Sequence, residues 1–145
     1  MKKLSFYFLA TLVVASLAAC GSDSNCSMEG EWKVKSAEVT SDKLDKSVLG
    51  MAKEMMLKTT YSFTADSVTI RSGGPSGEFH GSYAVDANGQ TLSWTTMGAT
   101  NGAAYSDNMK ILSCSGSEVT FVKRNPADTT QAALTTSTIV LEKAN

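Results

Sequence analysis

The chain has 145 residues, 42% of them hydrophobic and 19% charged, with 13 Lys plus Arg against 14 Asp plus Glu for a formal charge of -1. That length suits one ordinary domain, the apolar content excludes a disordered chain, and the balanced charge removes the basic footprint of a nucleic-acid binder. A single histidine excludes multi-histidine metal sites and leaves little for histidine-based catalysis.

The first element in chain order is an address. Lys2 and Lys3 precede an apolar run of 16 residues, Leu4 to Ala19, shorter than the roughly 20 residues that a permanent transmembrane helix needs. A basic start, an apolar middle and small closing residues are the pattern of a cleaved secretory signal. The close of the run, Leu17-Ala18-Ala19-Cys20, resembles the lipobox of bacterial lipoproteins. That resemblance implies cleavage after residue 19 and a mature chain beginning at an S-diacylglyceryl, N-acylated (palmitate-bearing) Cys20. It gives three expected parts: a signal peptide over 1–19, a lipidated cysteine with a polar tether over 20–29, and a domain over 30–145. Losing two lysines with the signal brings the formal charge of the remaining 126 residues to -3. Three acyl chains suffice for stable anchoring, so the expected partner is a membrane, held without being spanned. Gly21, where an inner-membrane retention signal would place Asp, favours an outer-membrane lipoprotein of the cell envelope. Its facing, periplasmic or surface, and its oligomeric state stay open.

Cys26 and Cys114 are the remaining cysteines. An oxidising envelope permits a disulfide between them; the alternative is two unpaired thiols, one on the tether and one buried.

Beyond the tether the chain alternates apolar and polar residues, the period of half-buried strands. Trp32, Val34 and Ser36 alternate with Glu31, Lys33 and Lys35; Phe79, Gly81, Tyr83 and Val85 with His80, Ser82 and Ala84; Met109, Ile111 and Ser113 with Lys110, Leu112 and Cys114. Continued along the chain, this predicts eight strands near 30–39, 59–64, 67–72, 77–86, 91–97, 105–114, 118–124 and 135–143. Turn signals separate most of them, and Asn88-Gly89 is the strongest, since a tight type I′ hairpin needs positive φ at both central positions. Short connections make neighbours antiparallel, and closing eight strands removes the exposed edges. The expected fold is therefore all-β, an eight-stranded antiparallel up-and-down barrel. One segment departs from the pattern. Ser41 or Asp42 can cap an amphipathic helix running to about Lys58, between the first two strands, with Leu44, Val48, Leu49, Ala52, Met55 and Met56 at helical spacing. Its methionines serve either as plain core or as a flexible lid.

Gly30-Glu31-Trp32 resembles the G-x-W signature that opens lipocalins. The order Tyr61-Ser62-Phe63, Gly81-Ser82-Tyr83-Ala84-Val85 and Leu92-Ser93-Trp94 is similar to the lipocalin-like (calycin-type) domains of Bacteroidota envelope lipoproteins, over about residues 28–144. The resemblance implies that Trp32 seals the closed end of the barrel with a basic residue packed across it, Lys143 or Arg124. It also implies that the interior receives a small hydrophobic or amphipathic ligand. The side chains expected to line that interior are Tyr61, Phe63, Phe79, Tyr83, Trp94, Met109, Ile111 and Phe121, with Met55 or Met56 above and the 97–104 loop as a rim.

The remaining chemistry is sparse. His80 alternates outward, no nucleophile elbow is present, and Glu78, Asp86, Asp107 and Glu118 read as single acids at strand ends or turns that keep the surface soluble. The glycine-rich run 72–77 lacks the helix start of a phosphate cradle, and no C-x-x-C pair offers a metal site. No enzymatic activity, cofactor or metal is expected. The function expected is ligand binding by a membrane-anchored barrel; the alternative is an envelope interaction module with a filled core that contacts proteins or glycans.

Overall fold

The computed structural model describes residues 27–73, 77–98, 102, 104–125 and 135–144. Within them the period-two alternation becomes eight strands: β1 (Gly30–Ser41), β2 (Thr60–Phe63), β3 (Ser67–Arg71), β4 (Glu78–Val85), β5 (Thr91–Gly98), β6 (Ala104–Cys114), β7 (Glu118–Asn125) and β8 (Thr135–Lys143), with one helix, α1 (Lys46–Leu57), between β1 and β2. Each strand pairs antiparallel with the next, and β1 pairs with β8 to close the barrel in sequence order.

The two ends differ. At one, short turns join β2 to β3, β4 to β5 and β6 to β7, and Trp32 lies opposite both Tyr61 and Lys143. This half is filled. Met28, Trp32, Phe63, Val68, Leu92, Ile111, Val119 and Leu141 are all buried there, each large apolar side chain contributing roughly 1.5–3 kcal/mol. The Trp32 indole N–H donates to the Met28 carbonyl at 2.6 Å, and the Lys143 ammonium stands 5.5 Å from the centre of the Trp32 ring, within cation–π range. Gly30 (φ +122°) opens β1 beneath the Lys143 side chain. Of the two basic residues considered for this position, Lys143 therefore occupies it; Arg124 pairs with Thr136 toward the other end. The tether is also shorter than expected, because Met28 is 1% exposed and belongs to the core.

Several local expectations change. A bulge between Val34 and Ser36 advances the β1 register by one residue, so Ala37 is buried and Ser36 is exposed. A second bulge between Ile111 and Ser113 leaves Ser113 outside and packs Cys114 against the core. Bulges insert one residue without breaking pairing, so simple alternation fails beyond them. Cys114 is disulfide-bonded; Cys20 and Cys26 lie outside the described residues, as do the signal and the lipidation site.

The helix starts later than its sequence suggests. Ser41 still pairs with Thr135 in the β1–β8 ladder and its hydroxyl accepts from the Lys43 amide, so Asp45 holds the N-cap position, without a side-chain cap. The Asn88-Gly89 hairpin is also not the two-residue type I′ turn. Gly89 alone has positive φ, +66°, and Asp86 braces a longer loop by accepting from the Gln90 and Thr91 amides at 2.7 and 3.0 Å. A carboxylate that satisfies loop donors makes this five-residue connection, 86–90, preferable to the tight one.

Candidate functional site

The other half of the barrel is hollow. A cavity of about 310 Å³ lies between α1 and the middle of the strands. Its depth is aromatic: Tyr61 and Trp94 stand with ring centres 5.7 Å apart, and Trp94 meets Phe121 edge-on at 6.4 Å. Met109 and Ile139 complete this floor. Toward the rim, Phe79 meets Tyr105 edge-on at 5.4 Å, and Met56 of α1 and Ser72 border the mouth.

Of the side chains expected to line the interior, Tyr61, Phe79, Trp94, Met109, Phe121 and Met56 face this cavity. Phe63, Tyr83 and Ile111 do not. Phe63 and Ile111 are packed into the filled half, and Tyr83 stacks edge-on against Phe63 at 4.9 Å while its hydroxyl donates to the Thr64 carbonyl. Met55 is turned to solvent, while Met56 and Leu57 pack inward. Of the proposed 97–104 rim, Met97, Gly98, Gly102 and Ala104 are described; residues 99–101 and 103 lie outside the described residues.

Thr59, Ile70, Ser72, Thr96, Tyr105 and Ile139 also line it without having been expected to, and so do two charged residues. Asp107 on β6 and Lys123 on β7 both face the cavity and form an ion pair at 2.7 Å, their side chains 26% and 25% exposed. Asp107, expected as a surface acid at a strand end, is instead mid-strand opposite Trp94. The signal was available: Asp107 stands two residues from Met109, on the same face of the strand, and Lys123 stands two from Phe121. The Tyr61 hydroxyl joins them. It has no hydrogen-bond partner among the described residues, and no described side-chain polar atom is both enclosed and unpaired, so this hydroxyl opens onto the cavity. Burial, and then the negative charge of Asp107, raise its pKa well above the ordinary tyrosine value of 10.

His80 sits on the outer face of β4. Its Nδ1 is 3.0 Å from the Thr69 hydroxyl and its Nε2 is 2.7 Å from Glu78, which Arg71 also holds at 2.6 Å. A hydroxyl, imidazole and carboxylate in line have the order of a nucleophilic relay. Here they lie on the outer wall, and none of them lines the cavity inside the barrel. Among the described residues no group of three or more His, Cys, Asp and Glu side chains is placed to hold a metal ion, and no helix is long and apolar enough to cross a membrane.

A second hollow, of about 390 Å³, lies on the outer face of β6 and β7, bordered by Lys110, the exposed Leu112 and Arg124.

No family model matches this chain, and neither a curated protein nor a solved structure matches it significantly.

Proposed function

We propose that this chain is a lipid-anchored, lipocalin-like lipoprotein of the bacterial envelope that buries a small hydrophobic or amphipathic molecule inside its barrel. The observation that carries this reading is the hollow half. Eight strands can be filled entirely by side chains or leave room for one small ligand. Here one half is filled, while the other keeps about 310 Å³ lined by aromatic and aliphatic side chains with a few polar groups. A concave, mostly apolar cavity with sparse convergent polar groups is the usual form of a small-molecule site. Binding would be reversible burial, with no covalent step. The lipobox-like Leu17-Ala18-Ala19-Cys20 supports the anchor, and Gly21 after it supports the outer-membrane placement. The opening Gly30-x-Trp32 and the Lys143 contact over Trp32 support the lipocalin likeness.

The test is native mass spectrometry of the protein purified from its own envelope, before and after organic extraction. A removable adduct of small-molecule mass is expected, together with an N-terminal peptide carrying a triacylated Cys20. A second reading, an interaction module, draws on the outer hollow where Leu112 stands exposed between Lys110 and Arg124. A bare mass before extraction would turn the assignment toward it.

A further inference from the structure

If the barrel carries a ligand, as proposed above, its interior also narrows that ligand's chemistry. Among the described lining residues only Asp107 and Lys123 carry charge, and they are paired with each other at 2.7 Å. As a unit they are neutral. A ligand head with a net charge would engage one member and face the other at close range. A carboxylate on Lys123 meets the Asp107 anion, and an ammonium on Asp107 meets the Lys123 cation. Each arrangement leaves one surplus charge in a space walled by Trp94, Phe121 and Ile139, where charges are screened less than in water.

An uncharged polar head avoids this. It can accept from the Lys123 ammonium and donate to the Asp107 carboxylate while their ion pair stays largely intact. The Tyr61 hydroxyl points the same way independently. The residue is more than nine-tenths buried and its hydroxyl opens onto the cavity with no partner among the described residues, so a ligand filling the cavity would leave this donor unpaired, which is costly, unless it supplied an acceptor. A hydroxyl or carbonyl oxygen on the ligand would satisfy it.

We propose that the cavity selects an amphiphile with an uncharged, hydrogen-bonding head, an alcohol or a primary amide, on a short apolar tail. The head sits among Tyr61, Asp107 and Lys123, and the tail lies against Trp94, Phe121 and Ile139. A charged amphiphile of equal length is the disfavoured competitor.

The probes are 1-octanol, octanamide, octanoate and octylamine, titrated at pH 7 against the full chain held in phospholipid nanodiscs, with empty discs as blank. Trp94 emission reads occupancy, while Trp32, sealed in the other half, gives a constant background. The two uncharged probes are expected to bind at least about tenfold more tightly than the two charged ones. Asp107→Asn, which leaves Lys123 as a lone cation, moves octanoate to the top of the order. Lys123→Gln moves octylamine there, and the double variant restores the preference for uncharged heads. Equal binding of all four within about threefold, or the same order in both single variants, overturns the head-group assignment alone. Binding of none of the four overturns the carrier reading on which it rests. Circular dichroism identifies any variant that has lost its fold, and the wild-type order then decides by itself.

Discussion

Leu141 and Ile139 provide an internal comparison of the two halves. Both lie on β8, two residues apart on the inward face, 0% and 4% exposed. Leu141 is packed into the filled half, while Ile139 lines the cavity. Truncating either to alanine removes similar apolar volume, so the transfer cost is about 2 kcal/mol in each case. The cost of the hole differs. At Leu141 the roughly 75 Å³ vacated is new enclosed void, adding about 1.8 kcal/mol at ~24 cal/mol per Å³. At Ile139 the vacated space merges with a cavity that already exists, so this second cost is mostly absent. The expectation is a loss of about 4 kcal/mol for Leu141→Ala against about 2 kcal/mol for Ile139→Ala. Equilibrium urea unfolding measures both. With a denaturant slope near ~2 kcal/mol per M, the two midpoints should differ by about 1 M. Equal midpoints, or a larger loss at Ile139, would refute the division of the barrel into a filled and a hollow half.

Three further outcomes follow from single residues. A Cβ added at Gly81 would overlap the Thr95 carbonyl oxygen on the neighbouring strand, and because that obstacle is backbone, Gly81→Ala should cost at least the ~1–3 kcal/mol of an overpacked core, read as a lowered thermal midpoint. The amides of Thr91 and then Gln90 hold the Asp86 carboxyl below its ordinary 3.8. Its contribution to stability is therefore complete above that value and lost as pH falls through the depressed one. Unfolding free energy measured against pH should decline less steeply below about pH 4 in Asp86→Asn than in the native chain; parallel profiles would contradict the loop-bracing role. Tyr61, by contrast, holds its proton more tightly folded than unfolded, so stability should fall as pH rises past the ordinary tyrosine value of 10, where the unfolded chain releases a proton that the folded chain keeps. Tyr61→Phe should flatten that alkaline decline in the same unfolding measurement.

The strands were legible because their faces differ: Trp32 and Val34, or Leu92 and Trp94, are inward at a spacing that only a strand produces. The bulges were not legible. Nothing in Lys35-Ser36-Ala37 or Leu112-Ser113-Cys114 marks where the register advances, because a bulge is decided by the twist that closes the barrel and not by local preference. Local hydrogen bonding also overrode two end signals. Ser41 was a plausible cap until the β1–β8 ladder held it, and Asn88-Gly89 was a plausible tight turn until Asp86 took the loop amides. For the cavity, the aromatic pattern named residues of the inward face but not their depth, which is why Phe63 and Ile111 were grouped with Trp94 and Phe121. Asp107 and Lys123 were passed over for the opposite reason. For Asp107 charge was taken as a sign of solvent, whereas its alternation with Met109 already placed it inside, as the alternation with Phe121 placed Lys123.

The chain enters the barrel at its sealed floor, where Met28 is packed beneath Trp32. Whatever holds the segment before residue 27 therefore holds the molecule by its base. The 12 residues of β1, rising ~3.3 Å each along a tilted strand, set the mouth about 30 Å away. If the barrel carries an amphiphile and is anchored through that segment, as proposed above, a molecule leaving the mouth would pass into water before it met the anchoring surface, and each methylene of its tail would slow escape by about fourfold, from ~0.8 kcal/mol of lost burial. Residence time would then be a function of tail length, and an acceptor docked at the mouth, by sparing the tail its exposure, would set the rate of delivery.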